Sequence, residues 1–417
     1  MQKICIVGLG YVGLPLAHAF AKGGHNVSGY DISSERIEAL KQGNDWTNEL
    51  SKEQFNEVQI TFSDDPKIIG ESDIVIVALP TPIDLQKKPD LTILKEGTKT
   101  VGEYLKKGAI IVYESTVYPG TTEEICAPIL EEASRLKCGQ DFTLGYSPER
   151  VNPGDKEHSV DKIVKVVSGQ DEKTTDTLVE LYGSVITAGI HRAPSIKVAE
   201  MAKAIENAQR DLNIAFVNEI ALLCDKVGIP TQDVLNAAKT KWNFLPFLPG
   251  LVGGHCIGVD PYYLVEKARQ LGMETQVIAA GRAVNDSMGK HVANQILNSL
   301  PGECREPRVL VLGITFKENV PDTRNSKSGD VIKELQERGC TVEVDDPYRN
   351  GMHDWKAGSL NDGPYDAIVL LVPHREYLEQ SVEMFTNALQ PHGIIYDLKG
   401  MLNGQYFAQK GRRHIVL

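Results

Sequence analysis

No CxxC pair occurs in this chain. Its seven cysteines (Cys5, Cys126, Cys138, Cys224, Cys256, Cys304 and Cys340) are odd in number and irregularly spaced. That pattern excludes the usual structural zinc knuckle, predicts no metal site, and points to a reducing compartment, the cytoplasm. No uninterrupted apolar run reaches membrane-spanning length. The first residues enter a strand with no basic segment and leader-like apolar stretch before it, so no secretory leader is expected. Positive charge is also outnumbered, 44 Lys and Arg against 56 Asp and Glu: the formal net charge of -12 argues against a broad basic face for nucleic acid. The hydrophobic share, 41%, is that of an ordinary globular enzyme, and 417 residues exceed one typical core, so two or three domains are expected.

The opening segment is more specific. Ile4-Cys5-Ile6-Val7 is a short apolar run, followed by Gly8-Leu9-Gly10-Tyr11-Val12-Gly13 and a helix-like stretch from Leu14 to Lys22. A second run, Asn26 to Tyr30, ends on Asp31. Strand, glycine-rich turn, helix, strand and acid form the βαβ unit that holds a dinucleotide. Gly8 permits the tight turn, Gly10 lets a pyrophosphate approach the backbone, and Gly13 lets the helix pack on the sheet. Unpaired N–H groups at the helix start face the diphosphate. Asp31 suits the adenosine ribose hydroxyls and repels a 2'-phosphate, so NAD is expected rather than NADP.

Further strands are expected at Asp73–Leu79, Ala109–Tyr113, Thr143–Tyr146 and Ile163–Val167. In a doubly wound sheet the loops at strand carboxyl ends face the ligand, which places Leu79, Thr81, Ser115 and Thr116 near the cofactor. From Ser195 to Lys226 a helical rhythm with few breakers predicts a long spine helix, closed by Gly228-Ile229-Pro230. Shorter helices follow at Thr231–Thr240, Tyr262–Leu271 and around Ala280–Leu300. A second α/β set begins near Arg308, with strands at Val309–Leu312, Thr341–Val344, Tyr365–Val372 and Gly393–Asp397. Gly313 lacks the later fingerprint glycines, so this domain suits a nucleotide-shaped substrate moiety, with substrate in a cleft between the two α/β domains. The expected fold class is α/β: two Rossmann-like domains joined by a helical middle domain. The expected division is residues 1–193, 194–304 (dimerising) and 305–417.

Gly253-Gly254-His255-Cys256-Ile257-Gly258-Val259-Asp260-Pro261 is the second informative stretch. The glycines bring the backbone close to something, and a cysteine and an acid follow within one helical turn. Beside a dinucleotide site, a nucleophilic cysteine is the equipment for oxidising an aldehyde through a thioester; a buried cysteine in a tight turn is the bland alternative. Lys203 and Asn207 lie one turn apart on the spine helix and share a face. They read as an ammonium and an amide aimed at a developing oxyanion, or as a lysine snorkelling past an apolar stripe.

Together these segments resemble the nucleotide-sugar 6-dehydrogenases, the family of UDP-glucose and GDP-mannose dehydrogenases. The resemblance rests on Gly8–Gly13, Glu114-Ser115-Thr116, Ser147-Pro148-Glu149, Lys203/Asn207, Gly253–Cys256, Lys317 and Asp322-Thr323-Arg324, in colinear order along essentially the whole chain. It implies oxidation of a sugar C6 alcohol to a carboxylate with two NAD, in a homodimer formed by the helical domain. By resemblance Cys256 is the nucleophile, and Lys203 and Asn207 hold the oxygen that becomes charged. Asp260 positions or activates water, Thr116 holds a catalytic water, and Glu149 does acid–base work in thioester hydrolysis. The implied cofactor residues are Gly8, Gly10, Tyr11, Val12, Gly13, Asp31, Arg36, Leu79, Thr81, Ser115, Thr116 and Arg324. Those implied for substrate are Glu149, Arg150, Val151, Lys203, Asn207, Phe247, Gly250, Gly253 and Lys317.

The departures narrow the branch. The lysine that UDP-glucose enzymes carry before the aspartate is Val259 here, their second glutamate after Glu149 is replaced by Pro153, and their glucose-reaching arginine loop has no counterpart between Thr231 and Asn243. Arg150–Asp155 and Lys241-Trp242-Asn243-Phe244-Leu245-Pro246-Phe247 instead resemble the branch acting on UDP-2-acetamido sugars. That branch includes UDP-N-acetylglucosamine and UDP-N-acetylgalactosamine 6-dehydrogenases of bacterial capsule, Vi-antigen and O-antigen synthesis. The resemblance favours UDP-N-acetylglucosamine. The aromatic run reads either as a contact for the N-acetyl methyl or as packing beneath the active-site loop.

Overall fold

A computed structural model describes residues 2–84, 86–151, 160–300, 306–348 and 355–417. The chain divides into two compact units, one of residues 1–206 with 262–273 and the other of residues 207–261 with 274–417. Cys304 and positions 152–155 of the Arg150–Asp155 loop lie outside the described residues.

The first unit is built on eight strands: β1 (Lys3–Val7), β2 (Asn26–Tyr30), β3 (Ile60–Ser63), β4 (Ile74–Val77), β5 (Ile110–Tyr113), β6 (Thr143–Tyr146), β7 (Lys165–Gly169) and β8 (Ile190–Arg192). Their order is β3-β2-β1-β4-β5-β6-β7-β8. All neighbours are parallel except β6 and β7. Helices cover both faces of such a sheet, so central strands are apolar throughout, and β4, Ile-Val-Ile-Val, is wholly buried. Ile4, Ile6, Leu14, Phe20, Ile76 and Leu178 share one core cluster. The strands that patterning did not anticipate, β3 and β8, are the sheet edges. There one side stays wet and the apolar run shortens to Ile60-Thr61-Phe62-Ser63 or Ile190-His191-Arg192.

The second unit carries a parallel sheet of β9 (Arg308–Leu312), β10 (Thr341–Asp345), β11 (Tyr365–Leu370), β12 (Leu389–Asp397) and β13 (Arg413–Val416), in the order β10-β9-β11-β12-β13. Met288, Val292 and Ile296 of the helix Val277–Ser299 bury against Val309, Val311 and Val331 of this domain. The unanticipated strand is again an edge, β13.

The spine helix spans Ile196–Val227. It stops where Gly228 adopts φ 77°, the left-handed value a glycine takes without steric cost, and its N–H and that of Ile229 return to the Cys224 carbonyl. The other central helices are Thr231–Ala238, Asp260–Gln270 and Val277–Ser299. No helix among the described residues is long and apolar enough to cross a membrane.

Candidate active site

In the first unit the turn from β1 leads into the helix Gly13–Lys22. Gly8 has φ 92°, and a Cβ there would lie 2.7 Å from the Ala78 carbonyl oxygen. A Cβ on Gly13 would lie 1.9 Å from the Gly8 carbonyl oxygen, so that residue lets the helix close onto the turn. Gly10 differs: a Cβ there meets nothing within 4 Å, so the chain itself does not require a glycine at this point. Open space over a backbone is what a pyrophosphate needs. No side chain caps this helix start at Val12, beside Tyr11. Asp31 accepts from Leu9 N at 2.9 Å and Ser33 N at 3.0 Å, which fixes its carboxylate at the end of β2. These features fit the adenosine diphosphate half of NAD. Arg36 is buried under the turn, donating to the Leu9 carbonyl through Nε (3.0 Å) and Nη2 (2.8 Å) and pairing with Asp45 at 2.8 Å.

The ends of β4 and β5 are tied together. Ser115 Oγ donates to the Leu79 carbonyl (2.6 Å) and Thr81 Oγ1 to the Thr116 carbonyl (2.7 Å), so the four strand-end residues form one patch. Tyr146 Oη supports it from below through the Ser115 carbonyl. A groove of about 870 Å³ in the same unit brings Tyr11, Glu149 and Val151 together with His18, Asn48 and Glu49. Glu149 Oε1 accepts from Arg150 N (2.6 Å) and Val151 N (2.7 Å), and Oε2 from Lys165 Nζ (3.4 Å). Burial raises its pKa. The Lys165 ammonium, the two backbone N–H groups and Lys203 outweigh that and hold the carboxyl below its ordinary value. Arg150 is turned away, onto Glu206 (2.7 Å) and the Val164 carbonyl (2.8 Å). Lys203, on the spine helix, is buried.

In the second unit the glycine pair has a local cause. A Cβ on Gly253 would lie 2.8 Å from the Asn325 carbonyl oxygen, and one on Gly254 (φ 82°) would lie 2.7 Å from the Phe316 ring. The backbone is therefore close to the chain's own segment around Phe316 and Asn325, which joins the Cys256 loop to Asp322-Thr323-Arg324. Cys256 is half-buried, and its carbonyl accepts from Val259 N (3.1 Å) and Asp260 N (2.8 Å) as the next helix begins. Asp260 is buried, and its Oδ2 accepts from Asn207 Nδ2 at 2.5 Å. Gly250 is held at both backbone atoms by the Asn218 amide, N to Oδ1 at 2.8 Å and O to Nδ2 at 3.0 Å. Lys317 lines a small cavity with Gly253, Phe316 and Ser326. Arg324 lies along Asp322, Nη2 to Oδ2 at 2.6 Å, with Nη2 3.2 Å from His255 Nε2. Phe247 is half-buried and Trp242 is 92% exposed, so among the described residues nothing covers Trp242.

Sequence reasoning passed over Lys165, Glu49, His255 and Asn218. Lys165 sits in a strand where apolar residues were expected, and a lysine inside a buried strand is a signal in itself. Glu49 is pushed up to about 7 by burial and by Asp45 and Glu149. His255 stacks edge-on to Phe316 at 5.3 Å, and burial lowers its pKa, as does the neighbouring Arg324. Only the fold brings these partners together. Among the described residues no cluster of three His, Cys, Asp or Glu side chains could hold a metal.

Comparison with known proteins agrees with this layout. Residues 2–186 match the NAD binding domain of the UDP-glucose/GDP-mannose dehydrogenase family, residues 197–287 its central domain and residues 310–404 its UDP binding domain. The chain is 48% identical over 411 residues to a UDP-N-acetyl-D-glucosamine 6-dehydrogenase of Pseudomonas aeruginosa, covering 96% of this chain and 97% of that one. It is 47% identical to Protein CapL of Staphylococcus aureus, covering 96% of each. A solved UDP-D-ManNAc dehydrogenase of Pyrococcus horikoshii superposes with a TM-score of 0.90 at 31% identity, over 100% of this chain and 99% of that one. With all three family domains matched in order along the chain, the protein belongs to the UDP-glucose/GDP-mannose dehydrogenase family.

Proposed function

We propose that this chain oxidises C6 of UDP-N-acetylglucosamine to the carboxylate, in two oxidations joined by a covalent intermediate on Cys256. The identity of 46–48% to two enzymes named UDP-N-acetyl-D-glucosamine 6-dehydrogenase, over nearly the whole chain, carries the choice of substrate. NAD⁺, when bound, would supply the hydride acceptor for both oxidations. Asp31 and the Gly8–Gly13 turn hold its adenosine side, with the Leu79, Thr81, Ser115 and Thr116 patch further along and Arg324 reaching it. The first oxidation leaves an aldehyde, and the Cys256 thiolate adds to its carbon. Lys203 and Asn207 hold the resulting oxyanion. The second oxidation leaves a thioester. Water held by Thr116 attacks it with Glu149 as base and Asp260 assisting, breaking C–S and returning the thiol. In sum, one alcohol, two NAD⁺ and one water give one carboxylate, two NADH and three protons.

Arg150, Val151, Phe247, Gly250, Gly253 and Lys317 complete the substrate contacts in this reading. The chain works as three parts, residues 1–193, 194–304 and 305–417, and as a homodimer through the central part. Phe216 and Leu223 of the spine helix, each more than half exposed, support that association. A nucleophilic thiol needs reducing surroundings, which supports a cytoplasmic location.

NADH counted per uronate formed tests the chemistry: two is expected, and one would overturn it. Side-by-side kcat/KM for UDP-N-acetylglucosamine, its galacto and manno epimers and UDP-glucose tests the substrate. The manno epimer is the second reading, favoured by the 0.90 TM-score to the P. horikoshii enzyme.

A further inference from the structure

Lys165 opens β7 with its side chain only 4% exposed. Its ammonium lies 2.7 Å from Glu114 Oε2 and 3.4 Å from Glu149 Oε2, and 5.4 Å from the Tyr182 ring centroid. Tyr182 Oη donates to the other Glu114 oxygen at 2.5 Å. A buried ion triplet is a poor source of stability, because apolar residues of similar volume often serve as well or better. This one is also asymmetric. Glu114 lies at its enclosed end, whereas Glu149 stands at the loop that lines the groove with Tyr11.

We propose that Lys165 is a positioning residue for Glu149. Braced by Glu114 and Tyr182, its ammonium fixes Oε2 and keeps the group a carboxylate, ready to accept a proton. The inference rests on the role of Glu149 in thioester hydrolysis given above.

The two acids divide the work. Burial raises the Glu114 pKa, whereas Glu149 is held below its ordinary value. The other groups acting on Glu149 are Lys203 from the spine helix, Glu49 across the groove and Tyr182 from the helix Glu172–Gly183. Arg150, next in the chain, is occupied by Glu206. Among the described residues Lys165 is the cation within hydrogen-bonding reach, so its loss should raise the Glu149 titration and leave Oε2 unheld.

The test compares Lys165→Met and Lys165→Arg in the full-length enzyme with ¹³C-labelled glutamate side chains, the Glu149 signal being assigned through Glu149→Gln. Lys165→Met should raise the Glu149 titration by about one pH unit or more. It should slow release of the labelled acyl group at neutral pH about tenfold, while NAD affinity is retained. Lys165→Arg should restore both. An unchanged Glu149 titration in folded Lys165→Met overturns the proposal. If that variant does not fold, Glu114→Gln decides: with Lys165 left to Glu149 alone, the Glu149 titration should move down, and no movement overturns the proposal. A wild-type enzyme that forms no acyl intermediate would instead sink the thioester reading, and the titration would still decide what Lys165 does.

Discussion

Asn207 Nδ2 donates to Asp260 Oδ2 at 2.5 Å, tying the spine helix to the first turn after the Cys256 loop. Both side chains are buried. An amide nitrogen carries two hydrogens, and Asp260 takes one; in the proposed reaction the other meets an oxygen of the substrate. The bond fixes the orientation of this donor.

If that donor meets the oxyanion, Asn207→Ala should lower kcat about a hundredfold, the usual cost of removing one such donor. NAD affinity, set in the first unit, should not change. Steady-state kinetics with calorimetric NAD binding checks this, and a fall of less than about threefold would remove Asn207 from the chemistry.

Cys256→Ala should abolish NADH formation from the nucleotide sugar while both ligands still bind. The prediction separates a thioester enzyme from a two-electron dehydrogenase that shares the dinucleotide fingerprint and the lysine–asparagine pair, because the latter has no use for the thiol. Retained turnover in the alanine variant would favour the two-electron reading.

The strand–turn–helix core was legible because its signals are local. Buried parallel strands are apolar throughout, fingerprint glycines are contiguous, and an unbroken rhythm from Ser195 to Lys226 matches the helix Ile196–Val227. The edges β3, β8 and β13 escaped because one wet face removes the apolar run. At the site, patterning could single out Cys256 and Asp260, but not that Gly253 faces the Asn325 backbone or that Lys165 meets two acids from other strand ends. Those are contacts between distant segments, and one sequence carries no register for them. Arg36 shows the same limit: the resemblance implies a cofactor contact for it, and only the fold shows that its guanidinium also holds the Leu9 carbonyl.

Gly10 and Gly13 should respond differently to one methyl group. Gly13→Ala forces a Cβ to within 1.9 Å of the Gly8 carbonyl oxygen, so the helix must move off the turn and the first unit should lose about 2 kcal/mol or more. Gly10→Ala meets nothing within 4 Å, so the thermal midpoint should hold while NAD affinity falls at least about tenfold, the methyl standing where the pyrophosphate must lie. Thermal melts with and without NAD separate the two. A Gly10→Ala variant that bound NAD normally would show that the pyrophosphate does not cross this backbone.

Glu343 gives the second unit an acid-sensitive anchor. It is buried and accepts from Arg308 Nη2 (2.9 Å), Lys356 Nζ (2.6 Å) and Tyr365 Oη (2.8 Å). Burial raises its pKa, but Arg308, Lys356 and the Tyr365 hydroxyl outweigh that and bring it from 4.5 to about 2. A carboxyl depressed in the folded state contributes its full stability above the unfolded pKa and loses it as pH falls through the folded one. The contribution should thus be complete above 4.5 and fade towards about 2. Glu343→Gln removes the charge, so its penalty should be about 2 kcal/mol or more at neutral pH. The penalty should shrink as wild type itself becomes protonated. Urea unfolding of both proteins at about pH 7 and about pH 3 makes the comparison. A gap of the same size at both would mean that the carboxylate's charge does not anchor β10 to β9 and β11.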